Sequence, residues 1–429
     1  MEKSIRIRSR NRRIPDQQDR ITATGFMNIV YHTRLTALIF ILLGLLALTE
    51  ARAAPEPTTS REPFNRRIVV IGDIHGNHDG LLELLQLAGV TDERGRWTGG
   101  KTHFVQLGDI PDRGDDTLEA IKFLRRLERN ARRNGGRVHI LIGNHDAMNV
   151  YGDLRYVTDG EFRAFAEKQS KKRLETLFKD ETAWIRANVP EEEWPEFDET
   201  YREKWFAARP PGFLEHRWNW LPDGEIGEWV RSRPIVLKLG NTLFVHGGLS
   251  PRYADWSVKD LNKAASEALS DVTKVKGTLL RDPEGPLWYR GLAQHREETE
   301  WPHVERLLEN FDVDRIVIGH TPTGGVILPR FGGRVILADT GLSTYYGEYL
   351  ACLVIEGNQL YALHRDGQVP IPASAGTKEL KTYLQAVLDL EDENPHIKRR
   401  LRLLDIQEDP GEDTHIPDTA IEPVETESP

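Results

Sequence analysis

The chain has a single cysteine in 429 residues, so an internal disulfide is excluded, and Cys352, inside the apolar run Tyr349 to Ile355, reads as a small buried hydrophobe. Long apolar stretches are also scarce. The most prominent, Leu35 to Leu48, is shorter than the roughly 20 residues that a helix needs to cross a bilayer. Basic charge is not in excess: 57 Lys and Arg stand against 67 Asp and Glu, a formal net charge of -10, which argues against nucleic acid as a partner. No segment recurs at a fixed period, which excludes solenoids and propellers.

The apolar run at Leu35 follows a basic stretch that includes Arg34 and precedes Ala51-Arg52-Ala53 and Ala54-Pro55. That order is the grammar of a cleaved secretory signal over residues 1–53, with Met27 as an alternative start. The expected destination is secreted or periplasmic, with no stable membrane span after cleavage; the alternative is an anchor left uncleaved. A Pro/Thr/Glu-rich linker fills residues 54–66.

From there the pattern alternates. Arg67 to Ile71, Thr102 to Leu107 and Arg137 to Ile142 read as strands, separated by helices marked by Leu81, Leu82, Leu84, Leu85 and by Leu118, Ile121, Leu124, Leu127. Strands and helices alternating at this length predict an α/β core whose sheet is at least partly parallel. Residues 151–233 interrupt the strands with a charged stretch holding Trp184, Trp194, Trp205, Trp218, Trp220 and Trp229, read as a helical insertion whose tryptophans form its core. Strands resume at Ile235 to Leu239, Thr242 to Val245, Arg315 to Ile318 and Arg334 to Ala338, then in a hairpin, Tyr349 to Ile355 and Gln359 to His364. The core is expected to end near residue 380, and residues 381–429 read as a charged helix and a disordered acidic tail.

Five of these strands end in polar residues flanked by glycine: Gly72-Asp73-Ile74-His75-Gly76, Gly108-Asp109, Gly143-Asn144-His145-Asp146, Val245-His246-Gly247-Gly248 and Gly319-His320-Thr321-Pro322. Strand ends of an open α/β sheet converge on one crevice, so these side chains can meet although they are far apart in sequence. Carboxylate, imidazole and amide oxygen make a donor set suited to Mn, Fe or Zn rather than to thiolate-loving metals.

The ordered series GDIHG, GDIPDRG, GNHD, VHGG and GHTP resembles the calcineurin-like metallophosphoesterases, and within them the phosphoprotein-phosphatase type. The stretches GNHDAMNVYGDLRYV and GPLWYRG are most similar to the Shewanella-like protein phosphatases. The resemblance implies a layered β-sandwich flanked by helices. It implies a first metal on Asp73, His75 and Asp109, and a second on Asp109, Asn144, His246 and His320. It further implies His145 as general acid oriented by Asp112, Arg113 and Arg290 as phosphate ligands, and hydrolysis of phosphomonoesters by a hydroxide bridging two metals. The substrate would be a phosphorylated protein (on serine, threonine or tyrosine) or a small phosphomonoester. The alternative is a nucleotide or dinucleoside polyphosphate hydrolase on the same metals. Two departures stand out: GNHD replaces the more usual GNHE, and His320 is followed by Thr-Pro without the second histidine of many phosphodiesterases. The insertion, whose two ends adjoin strand ends that carry site residues, is expected to act as a lid or specificity wall.

Overall fold

The computed structural model describes residues 64–372, 376–391 and 393–408. The expected signal segment and the end of the acidic tail lie outside the described residues. No described helix is long and apolar enough to cross a membrane.

The first strand, β1 (Ile68–Ile71), is apolar throughout and buried throughout, as a strand covered on both faces must be. Helix α1 (His78–Leu87) follows, its first turn capped by the Asn77 side chain and its Leu81, Leu84 and Leu85 turned inward. β2 (His103–Gln106), α2 (Thr117–Arg133) and β3 (Arg137–Ile140) repeat the unit. The short helix α3 (Asn144–Tyr151) then leads into the insertion, which is helical: α4 (Asp159–Ala164), α5 (Ser170–Asn188), α6 (Glu199–Ala207), α7 (Phe213–Trp220) and α8 (Glu225–Arg231). Trp205, Trp220 and Trp229 are buried, whereas Trp184 is exposed.

A second set of elements follows: β4 (Val236–Leu239), β5 (Thr242–Val245), α9 (Val258–Ser270), α10 (Gly291–Gln294), α11 (Glu297–Phe311), β6 (Arg315–Ile318), β7 (Leu328–Arg330) and β8 (Val335–Leu337). The chain closes with β9 (Ala351–Glu356), β10 (Gln359–His364), β11 (Gly367–Pro370), α12 (Thr377–Leu388) and α13 (Pro395–Glu408). The single charged helix expected beyond residue 380 is therefore two helices, the first beginning at Thr377.

Two mixed sheets result, flanked by helices. One has the order β11-β10-β9-β1-β2-β3 and the other β4-β5-β6-β8-β7. The runs β1-β2-β3 and β5-β6-β8 are parallel, so their C-terminal ends point the same way within each sheet. One cluster of buried apolar side chains takes in both sheets. The two strands missing from the sequence reading, β7 and β11, are both sheet edges and both contain proline, which edges tolerate because one side of the backbone needs no ladder partner.

At the β2/β3 border, His103 Nδ1 and His139 Nε2 lie 2.9 Å apart with their rings stacked. Burial, then the neighbouring His139 and Arg66, holds His103 down at about 3; burial, then Arg137, holds His139 at about 4. Below the ordinary histidine value of about 6.5 the unfolded chain takes up protons that the folded pair refuses. Their contribution to stability is thus present above about pH 6.5 and lost as pH falls toward 4. Urea unfolding at stepped pH is expected to show stability declining across this window, with a shallower slope in His139→Gln. An unchanged slope in that variant would contradict the assignment.

Candidate metal centre

Each parallel strand delivers its polar residues just past its C-terminal end: Asp73 and His75 after β1, Asp109 after β2, Asn144 and His145 after β3, His246 after β5 and His320 after β6. All seven are buried. The backbone is bent sharply to bring them together. Of nine non-glycine residues at positive φ among the described residues, five are His75, Asp109, Asp112, Arg113 and His320. Each such residue costs about 1 to 2 kcal/mol, comparable to the ~1 kcal/mol of one net hydrogen bond, so these turns persist only where several bonds hold them.

Asp109 is the centre of the arrangement. Its Oδ2 lies 3.8 Å from His75 Nε2 and 3.2 Å from His246 Nε2, while its Oδ1 accepts the His145 amide at 2.9 Å. Asn144 Oδ1 is 2.9 Å from His246 Nε2. Asp73 accepts the His320 amide on both oxygens, at 3.1 and 3.2 Å. Two groups, His75-Asp109-His145 and Asp109-His246-His320, each bring ligand atoms within 4.8 Å of one another, and Asp109 belongs to both.

The imidazoles are oriented for coordination. His75 Nδ1 lies 3.0 Å from the Pro111 carbonyl and His246 Nδ1 2.9 Å from that of Leu107. A carbonyl only accepts, so both Nδ1 atoms carry hydrogen, which leaves both Nε2 atoms, each directed at Asp109, as the positions a metal would take. Burial, then His145, holds His75 well below the ordinary histidine range; burial, then Arg290 and His246, does the same to His320. His320 Nε2 and Asp339 Oδ2 are buried without a hydrogen-bond partner. Imidazole nitrogens turned toward Asp109, clustered carboxylates and orphaned buried polar atoms together fit two cations.

Electrostatics favour the same conclusion. Burial opposes ionisation of Asp109, but His246 and His145 outweigh it and hold the carboxyl well below its ordinary value. Burial, then Asp339 and Asp109, drives Asp73 well above. Carboxylates this crowded ionise together only when positive charge is supplied.

His145 is buried, with Nδ1 2.5 Å from Asp112 Oδ2, which leaves Nε2 as its other face. Asp112 Oδ1 accepts Asn149 Nδ2 at 2.9 Å. The Arg113 guanidinium lies over the rings of Tyr156, Tyr345 and Tyr346 at 4.8, 4.4 and 5.1 Å. Arg290 donates through Nη1 to the His320 carbonyl at 2.7 Å and to Thr321 Oγ1 at 3.0 Å.

One residue escaped the sequence reading and a second was left without a role. Asp339 follows β8 as part of Asp339-Thr340-Gly341, the same order of apolar strand, acid and glycine found at the other strand ends; burial pushes it up to about 6. Asp146, whose role the GNHD motif alone leaves open, accepts the amides of Gly143 and Asp109 on one oxygen, both at 2.8 Å. It therefore caps α3 and pins the backbone of the central ligand. Gly143 is required beside it, because a Cβ there would meet Asp109 Oδ1 at 2.0 Å.

A model of the calcineurin-like phosphoesterase family matches residues 66–324. An uncharacterized protein of Schizosaccharomyces pombe is 33% identical over 301 residues, covering 68% of this chain and 77% of that protein. Shewanella-like protein phosphatase 2 of Arabidopsis thaliana is 30% identical over 294 residues, covering 65% of this chain and 71% of its own. Among solved structures, a cold-active protein-tyrosine phosphatase of a psychrophilic Shewanella species superposes with a TM-score of 0.54 at 28% identity, over 71% of this chain and 80% of that one.

Residues that orient metal ligands typically change metal affinity by about 10- to 100-fold when lost. Asp146→Ala is expected to fall in that range, and Asp146→Asn, which keeps an acceptor oxygen for both amides, to lose far less. Metal titration of the two proteins checks this; equal losses would assign Asp146 a role through its charge.

Proposed function

We propose that this chain, which belongs to the calcineurin-like phosphoesterase family and is a metal-dependent phosphatase, removes phosphate from phosphorylated proteins at a dinuclear centre. The observation that carries the reading is the position of Asp109 Oδ2 between His75 Nε2 and His246 Nε2, where one carboxylate can serve two ions. Asp73 and His75 would complete the first site with Asp109, and Asn144, His246 and His320 the second. Mn, Fe and Zn all suit this donor set. When bound, the two cations supply Lewis acidity, polarising a phosphoryl oxygen and acidifying the attacking water.

The chain's own residues do the rest. His145, its Nδ1 fixed by Asp112, holds a proton on Nε2 for the departing oxygen, a contribution typically of order 10² to 10⁴ in rate. Arg113 and Arg290 offer planar guanidinium groups to phosphate oxygens. The tyrosines around Arg113 restrict its side chain and give a substrate an aromatic rim, with Tyr345 half exposed. The Arabidopsis and Shewanella relatives, both protein phosphatases, favour protein phosphomonoesters over nucleotides. The grammar of residues 1–53 supports secretion, the signal being lost on export.

Reconstitution with each metal followed by assay on phosphoserine, phosphothreonine and phosphotyrosine peptides, nucleotides and dinucleoside polyphosphates tests the reading. A kcat/KM for nucleotides exceeding that of every phosphopeptide would overturn it. Asp109→Asn is expected to lose bound metal and activity together, since a neutral amide is a poor bridge between two dications; two metals and full rate in that variant would remove Asp109 from the centre. His145→Asn should retain its metals and lose rate chiefly on alkyl phosphates, whose leaving oxygens most need a proton. Equal losses on alkyl and nitrophenyl phosphates would deny His145 the acid role.

A further inference from the structure

We propose that the helical insertion supplies a positioning device for the general acid: Glu161, backed by His216, holds the backbone of Asp112 and through it the His145 ring. The inference rests on the reading of His145 given above.

Asp112 and Arg113 are consecutive residues at φ 73° and 66°, a left-handed turn that neither side chain favours. Both of their amides are taken up by the insertion. Asp112 N–H donates to Glu161 Oε2 at 3.0 Å, and Arg113 N–H to the Tyr156 carbonyl at 3.0 Å. The insertion also reaches the other side of the pair. Arg217, buried on α7, donates to the carbonyls of Asn149 and Val150, and the Asn149 amide group binds Asp112 Oδ1. The Asp112 carboxylate, the Asp112 backbone and the end of α3 are thus all fixed by, or through, insertion residues.

Glu161 is not placed as a structural residue would be. It is fully buried, and beyond the Thr117 hydroxyl beside the carboxyl its Oε1 makes no well-formed hydrogen bond. The group facing it is His216 Nε2, 3.5 Å away, on a ring that is itself fully buried with neither nitrogen hydrogen-bonded. Phe162 and Phe165 each stand 5.0 Å from the His216 ring and fix its plane. A core needing only volume here would be met by apolar side chains without the desolvation of two polar groups. Burial, then the charge of Asp112, pushes Glu161 well above the ordinary carboxylate range; burial, then Arg217, holds His216 well below its own. Held toward its neutral form, the Glu161 carboxyl accepts the Asp112 amide while placing less negative charge beside the Asp112 carboxylate.

The test uses the full chain loaded with metal, with Glu161→Met, Glu161→Gln and His216→Phe. Rates are measured on a phosphoserine peptide and on aryl phosphates of graded leaving-group acidity, together with KM and metal content. Glu161→Met is expected to lose about 10- to 100-fold in kcat on the peptide while nitrophenyl phosphate is barely affected, with KM and metal content unchanged. Glu161→Gln, whose amide oxygen still accepts the Asp112 amide, recovers most of that loss. His216→Phe gives a smaller loss of the same leaving-group dependence, and it carries the test if Glu161→Met does not fold. A uniform loss on all substrates, no recovery in Glu161→Gln, or an unaltered leaving-group profile in His216→Phe would overturn the proposal while leaving the phosphatase reading intact. A metal-loaded parent inactive on every phosphomonoester would overturn both.

Discussion

Crowding of buried carboxyl groups is the constraint around which this protein is built. Asp73, Asp109, Asp146 and Asp339 are all less than 5% exposed; Asp109 raises the cost of ionising the other three, and Asp339 that of Asp73. Apolar surroundings would neutralise such a cluster by protonation. Here, backbone amides of Gly143, His145, His320 and Gly341 point at the oxygens, and imidazoles stand between them. Asp146, raised to about 7 by burial and then by Asp109, shows how finely the balance lies between a charged and a neutral carboxyl. Six strand ends, of β1, β2, β3, β5, β6 and β8, bring these groups together.

That origin explains what could be read from the chain alone. A polar side chain at a strand end is announced by an apolar run and a glycine, so the gathering of Asp73, His75, Asp109, Asn144, His246 and His320 in one place was legible. Asp339 obeys the same grammar, but the reading stopped at the strand and did not follow its end. The two edge strands were invisible for another reason. Leu328–Arg330 and Gly367–Pro370 lack a full apolar face and contain proline, so their strand state is set by pairing with β8 and β10 and not by their own pattern.

Glu161, His216 and Arg217 were illegible in a deeper sense. Glu161 and Arg217 meet Asp112, Asn149 and Val150 through main-chain amides and carbonyls, which no side-chain motif records, and His216 meets only Glu161 and aromatic rings. Tyr156 of the insertion stands with its ring 5.0 Å from that of His145, and beyond it α4 packs against α2 while α7 and α8 pack against α3. Positive φ at Asp112 and Arg113 marks the turn beside these contacts.

The order of strands in the first sheet bears on synthesis at the ribosome. β1 is paired on one side by β2, close behind it in the chain, and on the other by β9, whose Leu353, Val354 and Ile355 lie opposite Val70, Val69 and Ile68. Almost the whole described chain must therefore emerge before that edge is covered. Until then β1 is an open, wholly apolar strand, a template for pairing with another chain.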